Sequence, residues 1–106
     1  MPKYLIAACY TVEGARGLAK DGGTKRVQAA KAAVESVGGK MEGFYFAFGD
    51  TDAYVIADVP DAAAAAACSL AINTSGAVTS KTTVLITPEE MDQATKKGAR
   101  YTPPGH

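Results

Sequence analysis

The sequence predicts an α+β fold: a ferredoxin-like βαββαβ sandwich, with a four-stranded antiparallel sheet, helices on one face and an extra C-terminal helix. Three observations carry that expectation. The first is the order of β-rich and helical segments along the chain, strand, helix, strand, strand, helix, strand, which two right-handed crossovers joined by a hairpin satisfy. The second is Gly49-Asp50-Thr51-Asp52 between two β-rich runs, residues suited to a tight reversal. The third is size: 106 residues with 47% hydrophobic and 21% charged residues make one globular domain with a core of its own.

Lys3 to Thr11 mixes β-branched, aromatic and small apolar residues without helical spacing, and is read as a buried strand. Thr11 to Gly23 holds four glycines. Glu13 to Lys20 has room for a turn or two of helix, but Gly14 and Gly17 weaken it at ~1 kcal/mol each, so a mobile connection is expected. From Thr24, read as an N-cap, Val27, Ala30, Ala33, Val34 and Val37 recur at helical spacing, with Lys31 and Glu35 paired on the wet side and Gly38-Gly39 as the stop.

Lys40 to Phe48 and Ala53 to Val59 then form the hairpin. Pro60 ends it, and Asp61 caps a helix over Ala62 to Ile72 whose small residues let it lie close on a sheet. Val78 to Thr87 alternates apolar and polar residues and reads as an edge strand. Thr87-Pro88-Glu89-Glu90 is a capping box opening a helix that runs to about Lys97 and stops at Gly98. The domain therefore covers 1–98, and 99–106, with Pro103 and Pro104, is an extended tail suited to packing on a neighbour.

Lys plus Arg and Asp plus Glu are 11 each, so the formal net charge is zero, which argues against a nucleic-acid or anionic-membrane partner. No stretch approaches the ~20 apolar residues of a membrane span, and Leu5 to Cys9 is too short for a signal-peptide core. A cytoplasmic location is expected, and the Asn73-Thr74-Ser75 sequon then carries no meaning. Cys9 and Cys68 make neither a disulfide framework nor a CxxC pair, and are read as buried free thiols.

A symmetric reversal at Gly49 to Asp52 places Phe48 opposite Ala53, Phe46 opposite Val55 and Phe44 opposite Ala57, an apolar face for the helices. The other face then carries Tyr45, Ala47, Tyr54 and Ile56, with Ile6, Ala8 and Tyr10 assigned to it from the first strand and Leu5, Ala7 and Cys9 to the helix side. Such a face, roughly 300 to 400 Å² of flat sheet, is too apolar for bare surface. Self-pairing about a two-fold axis is the commonest solution, so a homodimer through the sheet face is expected.

Tyr4-Leu5-Ile6 with Tyr10-Thr11, Glu13-Gly14-Ala15-Arg16-Gly17, Gly38-Gly39-Lys40, Gly43-Phe44-Tyr45, Val55-Ile56-Ala57-Asp58, Pro60-Asp61 and Thr87-Pro88-Glu89-Glu90 occur in an order and spacing that resembles the GYD domain proteins. These are small bacterial proteins of the dimeric α/β-barrel type, and the likeness spans about Lys3 to Glu90. It implies the fold and the dimer, and no particular activity. The naming Gly and Tyr-Asp fall at Gly49, Thr51 and Asp52; Thr51 stands where the pattern has Tyr, so no role of that tyrosine carries over.

The residues supply few catalytic constellations. His106, the only histidine, ends the chain and is a poor haem ligand or triad base. No His or Cys pair stands at metal-ligand spacing, and no cofactor is expected. Asp50 and Asp52 are either a carboxylate pair at the barrel mouth or ordinary turn residues. Gly22-Gly23-Thr24-Lys25 lacks the order of a P-loop. Arg16, Lys20, Lys25 and Arg26 form a positive rim able to attract an anion, or simply a solvated surface. Tyr10, Tyr45 and Tyr54 offer rings and hydroxyls to a small aromatic or oxygenated ligand, with dimer packing as the plainer explanation. The candidate ligand-binding residues are thus Tyr10, Arg16, Tyr45, Asp52 and Tyr54. Two functions fit: a non-catalytic dimeric module binding a small molecule or partner in the barrel between sheet faces, or a cofactor-independent oxygenase or isomerase. The scarcity of convergent polar residues favours the first.

Overall fold

The computed structural model describes residues 1–106. The elements run β1 Lys3–Tyr10, α1 Val12–Asp21, α2 Gly23–Ser36, β2 Lys40–Phe46, β3 Ala53–Asp58, α3 Ala62–Thr74, β4 Val78–Leu85 and α4 Pro88–Lys97. The strands form one antiparallel sheet in the order β2-β3-β1-β4, with β4 at an edge, so the ferredoxin-like α+β reading holds.

Four local expectations are corrected. Residues 12–21 are helix, not a mobile connection: Thr11 Oγ1 accepts from the Gly14 N–H at 3.2 Å, and the Thr11 N–H donates to the Ala77 carbonyl at 3.0 Å. Gly14 has a packing reason, because a Cβ there would lie 1.9 Å from the Ala77 oxygen. Its absence lets α1 sit against the entry to β4, and tertiary contact overrides the propensity penalty. Second, α2 starts at Gly23, after Gly22 turns the chain at a φ of 81°, so Thr24 lies inside the helix rather than capping it. The Lys31 to Glu35 pair forms as read, at 3.9 Å.

Third, the hairpin is slipped by two residues: Phe46 faces Ala53, Tyr45 faces Tyr54 and Phe44 faces Val55. The Ala47 N–H donates to the Asp52 carbonyl at 2.8 Å, and the Asp52 N–H donates to Ala8 at 2.9 Å, which ties Asp52 to β1 and leaves the loop as 47–52. A slip of two preserves which face each residue takes. Phe48 is lost from the strand and stands fully exposed.

Fourth, the two faces of β1 are exchanged. Ile6 pairs with Val55 and Ala8 with Ala53, so Ile6, Ala8 and Tyr10 lie on the helix side. Leu5, Ala7 and Cys9 join Tyr45, Tyr54 and Ile56 on the open face.

The core lies between sheet and helices. Ala8, Ala53 and Val78 pack with Tyr10, Phe44 and Ile72, while Val34, Ala57 and Cys68 pack with Ala33 and Val37. Burial pushes the Cys68 thiol up, keeping it a neutral packing group. Asp61 caps α3 by accepting from the Ala64 N–H at 2.8 Å. The capping box of α4 is complete, with Glu90 N–H donating to Thr87 Oγ1 at 3.1 Å and Thr87 N–H to Glu90 Oε1 at 3.0 Å. Every residue from 86 to 106 is exposed, so α4 and the tail stand off the body.

Candidate functional site

Helix α1, the start of α2 and the β2–β3 loop enclose a pocket of about 490 Å³ on the helix side of the sheet. Each wall follows from local sequence. Thr11 caps α1 so that Ala15 and Leu18 face inward. Gly23 lets the Phe46 ring approach α2, since a Cβ there would meet that ring at 2.9 Å. Phe46 meets Phe44 edge to face, with centroids 4.9 Å apart. Ala47 and the exposed Phe48 form the outer lip.

Two of the polar candidates converge here. Tyr10 ends β1 with its ring beside Gly14, and Asp52 leads into β3. The Asp52 Oδ2 accepts from the Tyr10 N–H at 2.9 Å, so this carboxylate stands in for a ladder partner where the β1–β3 pairing ends. Its other oxygen is not used by any hydrogen bond within the chain and can accept from a bound hydroxyl.

The remaining candidates lie elsewhere. Tyr45 and Tyr54 face each other on the open face, 68% and 38% exposed, so the three tyrosines do not share one surface. Arg16 is exposed on α1 and lines no part of the pocket. Asp50 lies with Cys9, Thr79 and Lys81 in a separate, polar depression, so Asp50 and Asp52 do not form a carboxylate pair. The Cys9 thiol donates to the Asp50 carbonyl at 3.1 Å. No three His, Cys, Asp or Glu side chains gather as a metal site.

At the far end of the open face, Lys3 bridges Glu42, in the β2 bulge, and Asp58. The hydrogen bond to Glu42, followed by that to Asp58, raises the Lys3 pKa. A hydrogen bond with Glu42, then the Lys3 ammonium, holds Asp58 below its ordinary carboxylate range. The sequence puts Ala15 and Leu18 in a segment expected to be mobile, so their alignment with Phe46 depends on a helix the glycines conceal.

Comparison with known proteins adds one assignment. The GYD domain family matches residues 4–95, and the chain belongs to that family. No curated protein and no solved structure matches it.

Proposed function

We propose that this member of the GYD domain family is a homodimeric module that binds a small apolar molecule with a hydrogen-bonding group. The observation that carries this reading is the 490 Å³ pocket, six of whose eight lining residues are hydrophobic, Tyr10 among them, with Asp52 as its one charged group. That size falls within the range of roughly 300 to 1,000 Å³ typical of small-molecule sites. An apolar body is stabilised by leaving water among Leu18, Phe46 and Phe48, while Asp52 and the Tyr10 hydroxyl orient a polar substituent. The site thus moves from between two sheet faces to the helix side of one sheet.

Pairing of two copies is supported by area. The chain exposes 7371 Å², whereas a compact monomer of its mass is expected to expose about 5,600 Å². The excess of roughly 1,800 Å² is more than twice the ~800 Å² per partner of a standard interface. Much of it is apolar: Tyr45 and Tyr54 on the open face, and Ile86, Met91 and Tyr101 along the projecting arm. Flat sheet alone offers roughly 300 to 400 Å², so the arm is needed to complete the contact. A dimer so formed leaves the helix-side pocket open to ligand.

The oxygenase or isomerase alternative makes Asp52 its base. The hydrogen bond from Tyr10 N–H to Asp52 commits one carboxylate oxygen to holding the backbone, which favours binding over proton abstraction. A thermal-shift screen with phenols, quinones and carboxylates tests the proposal on wild type, Tyr10→Ala and Tyr54→Ala. The expected result is a stabilising phenol whose shift disappears in Tyr10→Ala and survives in Tyr54→Ala. A wild type that responds to none of them contradicts it.

A further inference from the structure

Arg26 was placed on a positive rim, yet its side chain turns inward. The residue is half-buried, its Nε is buried and without a hydrogen-bond partner, and no side-chain atom of Arg26 takes part in a hydrogen bond or ion pair within the chain. It faces an inner cavity of about 70 Å³ between sheet and helices, otherwise lined by apolar groups that include Ile6, Val34, Phe44 and Val55. A buried guanidinium N–H without an acceptor is costly, so this is an unusual place for a bare structural arginine.

The inner cavity adjoins the outer pocket. Gly23 and Arg26 are one turn apart on α2, Phe46 and Phe44 share a face of β2, and Tyr10 and Ala8 share a face of β1; in each pair the first lines the pocket and the second the cavity. The Phe44 and Phe46 rings stand edge to face between them.

Resting on the pocket reading above, we infer that the ligand is a monocarboxylate: its apolar body fills the outer pocket, and its carboxylate passes the Phe44–Phe46 pair to meet Arg26. The planar fork of a guanidinium matches a carboxylate, and a single negative charge neutralises it in apolar surroundings. A phosphate carries about −1.5 to −2 and would leave excess negative charge against this lone cation beside an apolar cavity. The inner space, several times the ~10 to 15 Å³ that admits one water, suits a carboxylate with an adjoining methylene rather than a ring.

Isothermal titration of the full chain with 3-phenylpropanoate and its uncharged amide, 3-phenylpropanamide, tests this on wild type, Arg26→Met and Arg26→Lys. Wild type should prefer the acid by roughly 10- to 100-fold, the span of a hydrogen bond to a charged group. Arg26→Met should abolish the preference, bringing acid affinity down to that of the amide, and Arg26→Lys, which keeps charge without the fork, should retain only part of it. If Arg26→Met does not fold, a reduced preference in folded Arg26→Lys supports the inference and an undiminished one overturns it. Equal binding of acid and amide to wild type, or a preference that survives in Arg26→Met, overturns the carboxylate inference alone. Failure of both compounds to bind wild type overturns it, and if the phenols also produce no thermal shift the pocket reading falls with it.

Discussion

The two faces of the sheet are built from similar residues and have different fates. On the helix side, Ile6, Ala8, Ala53, Val55 and Ala57 are buried. On the other, Leu5, Ala7, Tyr54 and Ile56 occupy alternate positions of the same strands and meet no helix. Apolar character therefore does not reveal which face a chain covers for itself and which it leaves open; connectivity decides, because both crossover helices lie on one side. The covered side also holds the pocket of about 490 Å³, where α1, lying against Ala77 at Gly14, does not close over Tyr10 and Phe46.

Adjacent residues give the sharpest contrast. Ala57, 1% exposed, lies against Val34 and Cys68, and Ala57→Asp should unfold the chain, because burying an unpaired carboxylate costs several kcal/mol against a total stability of about 5 to 15 kcal/mol. Ile56→Asp, one residue away on the open face, should retain the circular dichroism spectrum and melt cooperatively, but run as a monomer in size-exclusion chromatography with light scattering. A dimeric Ile56→Asp protein would show that the open face is not the interface.

Gly14→Ala probes the covered side more gently. The added methyl collides with the Ala77 carbonyl, so a loss of about 1 to 3 kcal/mol in urea unfolding is expected, with weaker ligand stabilisation as α1 shifts away from Tyr10. An unchanged midpoint would mean that α1 is held elsewhere.

The smallest effect is electrostatic. Asp58 is held below its ordinary range, so it contributes stability above its unfolded value near 3.8, lost as pH falls through the lower folded value. Lys3 is raised, so its contribution is full below 10.5 and fades as pH climbs through the higher folded value. Asp58→Asn should therefore narrow the stability difference between pH 7 and pH 3 slightly, the groups being solvent-screened; a wider difference would contradict the assignment.

The sequence made the sandwich legible where signals are local: the Thr87 to Glu90 capping box, the Asp61 cap and the two-residue alternation of the hairpin all form as read. It concealed what depends on contacts between distant residues. Leu5, Ala7 and Cys9 are chemically interchangeable with Ile6, Ala8 and Tyr10, so nothing within β1 fixes its facing; the pairing with Val55 and Ala53 does. Phe46 and Phe48 are equally plausible partners for Ala53 until Asp52 bonds to Ala8. Of the site, Tyr10 and Asp52 were identifiable as polar groups near a strand end, whereas the inward turn of Arg26 is a packing outcome without a local signature.

The division of labour between the faces is tested most directly by methyl and aromatic NMR of the intact protein titrated with phenol. Shifts should gather at Ala15, Leu18, Ala47 and Phe46, with Leu5, Ala7 and Ile56 unmoved. Saturable shifts confined to Leu5, Ala7 and Ile56 would place the ligand between the sheets and contradict the account.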